Sequence, residues 1–412
     1  MTRFLAYTSP ARGHLYPLVP TLLELRRRGY EVAVRTLASE VELMRDLGFD
    51  AEPIDSAIEE AGIEDWRAKT PIGALKASLA GFFDRARHDG PDLRRAVQEK
   101  RPDALLVDVN TWGAAAAASV GELPWASWCP YFLPLPSKDA PPFGPGFAPA
   151  SGLPGRVRDR LASRLLERFW NGTLPALNDV RRGLGARPLA SVLDALREPP
   201  LTLYLTAEPF EYHHSDWPDS IVMTGPGLWD PPADPPTWLG DVTKPLVLVT
   251  CSTEFQDDGR LVATTLDALK DEDVQVVATT AGVDPAQFSV PPNARVERFV
   301  PHGPLVDRAS CVVCHGGMGI TQKALAAGVP VCVVPFGRDQ LEVARRVELA
   351  KAGTRLPAPR LSPERLRDAV REAVARREGA QRLADTFADA GGPAAAADAL
   401  ERALDRQPSA AL

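Results

Sequence analysis

Glycines where a strand hands over to a helix let backbone N–H groups approach an anion closely. The stretch Cys314-His315-Gly316-Gly317-Met318-Gly319-Ile320 has three of them between two apolar runs. The helix that follows would add the positive end of its dipole, and His315 a side-chain donor. Such a loop is suited to holding a diphosphate. Further on, Asp339-Gln340 follows the apolar run from Val331 to Phe336, at the C-terminal end of a second predicted strand. Together these two side chains offer acceptor oxygens and an amide donor, which suits vicinal hydroxyls on a sugar.

A second group of residues could move protons. Arg12-Gly13-His14-Leu15-Tyr16-Pro17 fills the first predicted strand-to-helix loop, with Pro17 near the first position of the helix. A histidine there can act as general base near neutral pH. Asp108 ends the predicted strand Ala104–Asp108 and would emerge at the same sheet edge, where its carboxylate could fix the imidazole tautomer. Plainer roles stay open: a helix cap for His14, and an N-cap for Asp108 or Asp339.

Other patterns carry less. Cys311-Val312-Val313-Cys314-His315 matches the letters of a covalent haem motif, but it reads as a buried strand in a chain without an export signal. Two small core cysteines are the better reading. Glu211, His213, His214 and Asp216 resemble metal ligands on an irregular segment that reads as solvated, and Asp271-Glu272-Asp273 reads as a solvated turn. No metal site is expected.

The elements that must position these groups follow from periodicity. Apolar runs at Phe4 to Thr8, Glu31 to Thr36, Ala104 to Asp108 and Trp125 to Cys129 alternate with helical patterns, one of them holding Leu18, Leu22 and Leu25. The rhythm restarts at Leu246 to Cys251, Val274 to Thr279, Arg295 to Val300, Cys311 to Cys314 and Val331 to Val334. It predicts an α/β protein with two doubly wound parallel-sheet, Rossmann-like domains and a cleft between them. The expected division is an N-terminal domain over 1–224, a proline-rich linker over 225–243, a second domain over 244–390 and a returning C-terminal helix over 391–412.

Within 412 residues, 25% are charged and 45% hydrophobic, a soluble globular balance. The net charge of −7 lacks acidic blocks or a basic stripe, so nucleic acid and anionic membranes are not expected partners. No apolar window spans a bilayer, and five cysteines without an export signal suggest a cytoplasmic location. A proline-rich stretch from Tyr131 to Pro154 carries aromatics that suit a lipophilic cleft or an anchor for the loop.

These residues together resemble the family 1 glycosyltransferases of the GT-B fold, of the bacterial natural-product and macrolide type. The resemblance rests on Gly13, His14 and Pro17, on Asp108, on Phe299-Val300-Pro301-His302, on the His315 to Ile320 loop and on Asp339-Gln340. It implies an inverting, metal-independent transfer from a nucleoside diphosphate sugar to a hydroxyl of a lipophilic small molecule. The sugar nucleotide would be a co-substrate, with no cofactor. His14, oriented by Asp108, would be the base. Arg12, Gly13, Ser252, Thr253, Phe299, Val300, His302, His315, Gly316, Gly317, Met318, Gly319, Ile320, Asp339 and Gln340 would meet the donor. Trp66, Phe82, Phe83, Tyr131 and Phe132 would meet the acceptor, and a homodimer is admitted. Two departures stand out: Ile320 replaces a frequent hydroxyl residue, and Lys323 replaces a glutamate that binds ribose hydroxyls. The second points to a dTDP-sugar over a UDP-sugar. A non-catalytic binding protein of the same fold is the alternative reading, and a sugar-nucleotide epimerase a third.

Overall fold

The computed structural model describes residues 2–63, 71–150, 152–252 and 259–406. Among them, seven strands form the first sheet: β1 (Arg3–Tyr7), β2 (Glu31–Thr36), β3 (Asp50–Pro53), β4 (Ala104–Asp108), β5 (Trp125–Cys129), β6 (Thr202–Tyr204) and β7 (Ile221–Met223). Six form the second: β8 (Leu246–Thr250), β9 (Gln275–Thr279), β10 (Ala294–Glu297), β11 (Ala309–Cys314), β12 (Val331–Val333) and β13 (Gly353–Arg355). All pairings in both sheets are parallel. β4 is buried at every position, and its residues divide between the cores on the two sheet faces. That is why these strands read as unbroken apolar runs rather than alternating ones.

The strand orders are β3-β2-β1-β4-β5-β6-β7 and β10-β9-β8-β11-β12-β13. Each reverses direction at one point, between β1 and β4 in the first sheet and between β8 and β11 in the second. Crevices for ligands open at the C-terminal ends of strands where the order reverses. His14 and Asp108 follow β1 and end β4, while Ser252 and His315 follow β8 and β11. The fold thus sets both residue groups at switch points.

The two domains share a core. Phe132, Tyr204 and Phe210 pack in one cluster with Met318, Val343 and Phe387. The last helix, Gly392–Arg406, returns to the first domain, where Ala396, Ala397 and Leu400 join Leu15, Leu18 and Leu22. Arg28 Nη1 pairs there with Asp398 at 2.6 Å and Glu401 at 2.8 Å. The chain crosses nearby, and a Cβ on Gly227 would lie 1.9 Å from the Pro17 carbonyl oxygen, so only glycine fits. No helix among the described residues is long and apolar enough to cross a membrane.

Two local expectations need correction. The first helix spans Arg12–Arg27, so His14 lies in its first turn and not in a loop, and Pro17 and Pro20 lie inside the helix. The His14 and Leu15 amides both bond the Ala11 carbonyl, which starts the helix early. β10 stops at Glu297, leaving Phe299 outside the sheet.

Candidate active site

β1 and β4 bring His14 and Asp108 together across 94 residues of sequence. His14 Nδ1 lies 2.9 Å from Asp108 Oδ1 and 3.1 Å from Oδ2. Asp108 is fully buried, and its carboxylate also accepts the Ser9 amide at 3.0 Å, the Ser9 hydroxyl at 2.8 Å and the Asn110 amide at 2.9 Å. Burial by itself would raise its pKa. The His14 charge and these hydrogen bonds outweigh burial and hold the carboxyl below its ordinary value. In the neutral imidazole an acceptor-only carboxylate takes the Nδ1 proton, which leaves the lone pair on Nε2. Asp108 does not serve as an N-cap, since the next helix, Trp112–Ser119, has Thr111 at that position. Trp128 Nε1–H reaches the His14 carbonyl at 3.3 Å and ties the turn to β5.

In the second domain, β11 delivers His315 to the edge, and Gly316 then turns with φ of +98°. A Cβ at Gly316 would meet Val333 Cγ1 at 2.9 Å, and one at Gly317 would meet His315 Nε2 at 2.6 Å. Around Gly319 a Cβ would meet nothing within 4 Å. The helix Met318–Ala326 begins with no side-chain cap on its first turn, which leaves those N–H groups to an anion. Met318 points the other way, into the shared core, and Ile320 packs against that core. Gly317→Ala should therefore push the imidazole aside and, on the sequence expectation of a diphosphate at this loop, weaken nucleotide binding about tenfold, the worth of one charge-assisted hydrogen bond. Calorimetric titration with the nucleotide measures it.

Burial, with the Arg338 charge adding, lowers the His315 pKa to about 4, while a hydrogen bond to the Thr250 backbone works against the shift. His302, buried beside Lys323, is also lowered to about 4. Both rings are neutral in the folded protein and protonate more readily when unfolded, near 6.5. Stability is therefore whole above pH 6.5 and falls as pH drops toward 4. His315→Gln should flatten that slope in unfolding measured across the window.

Asp339 occupies the N-cap position of the helix Gln340–Leu349, yet its side chain makes no capping bond. Burial raises its pKa, opposed by the charges of Arg338 and of His14, so His14 of the first domain lies within electrostatic reach of Asp339 in the second. Gln340 is buried, and its Oε1 accepts the Phe336 amide at 2.7 Å and the Gly337 amide at 3.0 Å. Its oxygen holds the turn that follows β12.

Other predicted donor residues fall in different places. Ser252 is buried at the end of β8, and Thr253 lies outside the described residues. Phe299 is 67% exposed and Val300 is buried, so of the two only the Phe299 ring is open to solvent. His302 bonds Thr279 Oγ1 at 3.0 Å. Arg12 is committed to Glu40 at 2.6 Å, and Gly13 faces open space. Lys323 forms an ion pair with Asp230 and donates to the Trp229 carbonyl at 3.2 Å, while Asp230 Oδ2 also accepts the Gly303 amide at 3.1 Å.

The acceptor side needs more correction. Trp66 lies outside the described residues. Phe82 and Phe83 pack on Trp112 with ring centroids at 5.5 and 5.2 Å, and Phe83 is buried in a small core with Leu79, Leu177 and Val192. Phe132 is fully buried between the Arg346 guanidinium, 3.9 Å from its centroid, and Phe210 at 5.3 Å. Neither Phe83 nor Phe132 has a face for a ligand. Tyr131 does stand at the site, its ring 5.6 Å from His14.

Sequence reasoning missed Asn110, whose Nδ2 lies 3.2 Å from His14 Nε2, because a lone Asn two residues past a strand has no pattern. It also misread Glu211 and His214, which are buried rather than solvated. Glu211 accepts Arg346 Nη2 at 2.6 Å, and Glu342, pairing the same guanidinium at 2.8 Å, accepts the amides of Gly144 and Gly146 from the proline-rich loop. Among the described residues no cluster of three or more His, Cys, Asp or Glu could hold a metal. Cys311 and Cys314 are fully buried thiols within β11, where no porphyrin could reach them.

Comparison with known proteins agrees with this architecture. Residues 263–403 match the family described as Erythromycin biosynthesis protein CIII-like, C-terminal domain. The 4'-demethylrebeccamycin synthase of Lentzea aerocolonigenes is 33% identical over 404 residues, covering 94% of this chain and 96% of that protein. A PGL/p-HBAD biosynthesis rhamnosyltransferase of Mycobacterium bovis is 39% identical over 178 residues, 42% of this chain and 39% of that protein. Among solved structures, the calicheamicin glycosyltransferase CalG4 has a TM-score of 0.75 at 22% identity, over 98% of this chain and 99% of that one. The glycosyltransferase VinC, solved in complex with dTDP, has a TM-score of 0.73 at 22% identity, over 98% of this chain and 100% of that one. With similarity to the rebeccamycin enzyme running nearly end to end and the same two-domain fold, the chain belongs to the GT-B natural-product glycosyltransferases.

Proposed function

We propose that the chain moves a sugar from a nucleoside diphosphate donor to a hydroxyl of a lipophilic small molecule, with inversion at the anomeric carbon. The observation that carries this reading is the His14–Asp108 pair, held at 2.9 Å and within electrostatic reach of Asp339 from the second domain. The acceptor hydroxyl gives its proton to Nε2 as its oxygen bonds the anomeric carbon. The bond from that carbon to the diphosphate oxygen breaks, and the nucleoside diphosphate leaves with the electron pair. Charge grows on the leaving group, so the amides of residues 316–320 and His315 stabilise it most in the transition state. Asp108 stabilises the imidazolium until its proton is released. No cofactor enters, and the dipole of the helix Met318–Ala326 supplies the field a metal would otherwise provide.

The relatives support the substrate classes. VinC was solved with dTDP, and the spinosyn rhamnosyltransferase SpnG with thymidine diphosphate and with its aglycone. Lys323, tied to Asp230, cannot accept hydrogen bonds from ribose hydroxyls, which favours a deoxyribose donor. Thermal-shift titrations should show tighter binding of dTDP than of UDP; the reverse order would contradict this preference. Transfer assays with both donor types separate the enzyme from a binding protein of the same fold, which would retain nucleotide and form no product.

A further inference from the structure

Asn110 sits where the acceptor hydroxyl must arrive. Its Nδ2 is 3.2 Å from His14 Nε2, and its Oδ1 accepts the Tyr131 hydroxyl at 2.9 Å. The orientation of this amide follows from the rest of the site. Asp108 can only accept, so the neutral ring carries its proton on Nδ1 and an unprotonated Nε2, and the partner of Nε2 must be a donor. That turns the NH2 of Asn110 to the ring and its oxygen to Tyr131. The backbone of Asn110 is tied separately, its N–H bonding Asp108 Oδ1 at 2.9 Å. One short segment therefore holds both ends of the base.

We infer that Asn110 is the acceptor-positioning residue: its Nδ2–H occupies Nε2 in the empty site and passes to the acceptor oxygen when a hydroxyl takes its place. The inference rests on His14 being the base. An arriving hydroxyl donates its proton toward Nε2 and still has lone pairs to accept Asn110 Nδ2–H, which fixes the attacking oxygen against the ring. Tyr131 keeps the carboxamide from rotating. The same contact biases His14 toward its neutral form, because a donor at Nε2 competes with protonation there. Among the described residues, the charged and titratable groups acting on His14 include Asp108 at the end of β4, Asp339 at the N-cap of the helix Gln340–Leu349 and Tyr131 from the loop after β5.

The test compares wild type, Asn110→Ala, Asn110→Asp, Tyr131→Phe and His14→Ala in transfer kinetics against pH, with dTDP binding measured in parallel. Asn110→Ala should lower kcat/KM for the acceptor about tenfold, the value of one hydrogen bond, with dTDP binding unchanged. The acid limb of its pH profile should move to higher pH, and further for Asn110→Asp, whose carboxylate favours the imidazolium. Tyr131→Phe, which leaves Asn110 in place, should reproduce part of the loss. Wild-type acceptor kinetics and an unmoved acid limb in Asn110→Ala, with His14→Ala inactive, would overturn the role of Asn110 alone. Full turnover by His14→Ala would instead remove the base on which it rests.

Discussion

His14→Ala should lower the transfer rate about a thousandfold while nucleoside diphosphate binding stays at the wild-type value, since general bases contribute about 10²–10⁴. The separation of the two readouts follows from the fold: His14 rises from the switch point of the first sheet, whereas the glycine loop belongs to the second. Asp108→Asn should cost nearly as much by a different route. The amide can turn its NH2 to Nδ1, which places the ring proton on Nε2 and blocks the position that must receive the acceptor's proton. Because the Ser9 and Asn110 amides also bond this carboxylate, the variant disturbs the turn as well, and unfolding curves must be measured beside the kinetics.

The second large effect concerns the joint between the domains. Arg346→Met should destabilise the protein by about 3–5 kcal/mol, because it leaves Glu211 and Glu342 buried without their shared counter-charge. Burial would raise the pKa of Glu211, yet the Arg346 charge first, then hydrogen bonds from His214 and Tyr204, hold it below its ordinary value. Adding Glu211→Gln and Glu342→Gln to Arg346→Met removes the stranded charges and should recover most of the loss. Urea unfolding of the single and triple variants decides it, and equal stability of the two would contradict the assignment. The ion cluster also has a geometric task. Glu342 lies three residues past Asp339 and holds the proline-rich loop by the Gly144 and Gly146 amides at 2.8 and 2.7 Å, so the segment that carries Asp339 and the proline-rich loop share one anchor.

Much of this was legible before any coordinates. Parallel strands covered on both faces must be continuously apolar, so β4, β5 and β11 announce themselves, and residues at their C-terminal ends have few places to go. His14, Asp108 and His315 were found by that logic. The glycine at 316 was legible because only a backbone with positive φ turns so sharply off β11. What the chain hid was the outcome of packing between distant segments. Phe83 and Phe132 have the composition of pocket walls, yet the first fills a small helical core and the second lies under Arg346. Glu211 and His214 have the composition of a solvated loop, yet Glu211 is paired by Arg346 of the other domain and His214 is stacked on Trp217 at 3.6 Å. Nothing beside Lys323 in sequence announces that its partner Asp230 comes from 93 residues away. In each case the residue's own neighbours in sequence carry no record of what covers it.

One measurement bears most directly on the central account. Wild type and His14→Ala are incubated with dTDP- and UDP-sugars and a panel of lipophilic hydroxyl acceptors, and mass spectrometry follows acceptor, product and released nucleoside diphosphate together. The expected result is one product heavier than its acceptor by one dehydrated sugar, formed in step with nucleoside diphosphate by wild type and absent from His14→Ala. Equal product from His14→Ala, or nucleotide released by wild type with no glycosylated acceptor anywhere in the panel, would contradict it.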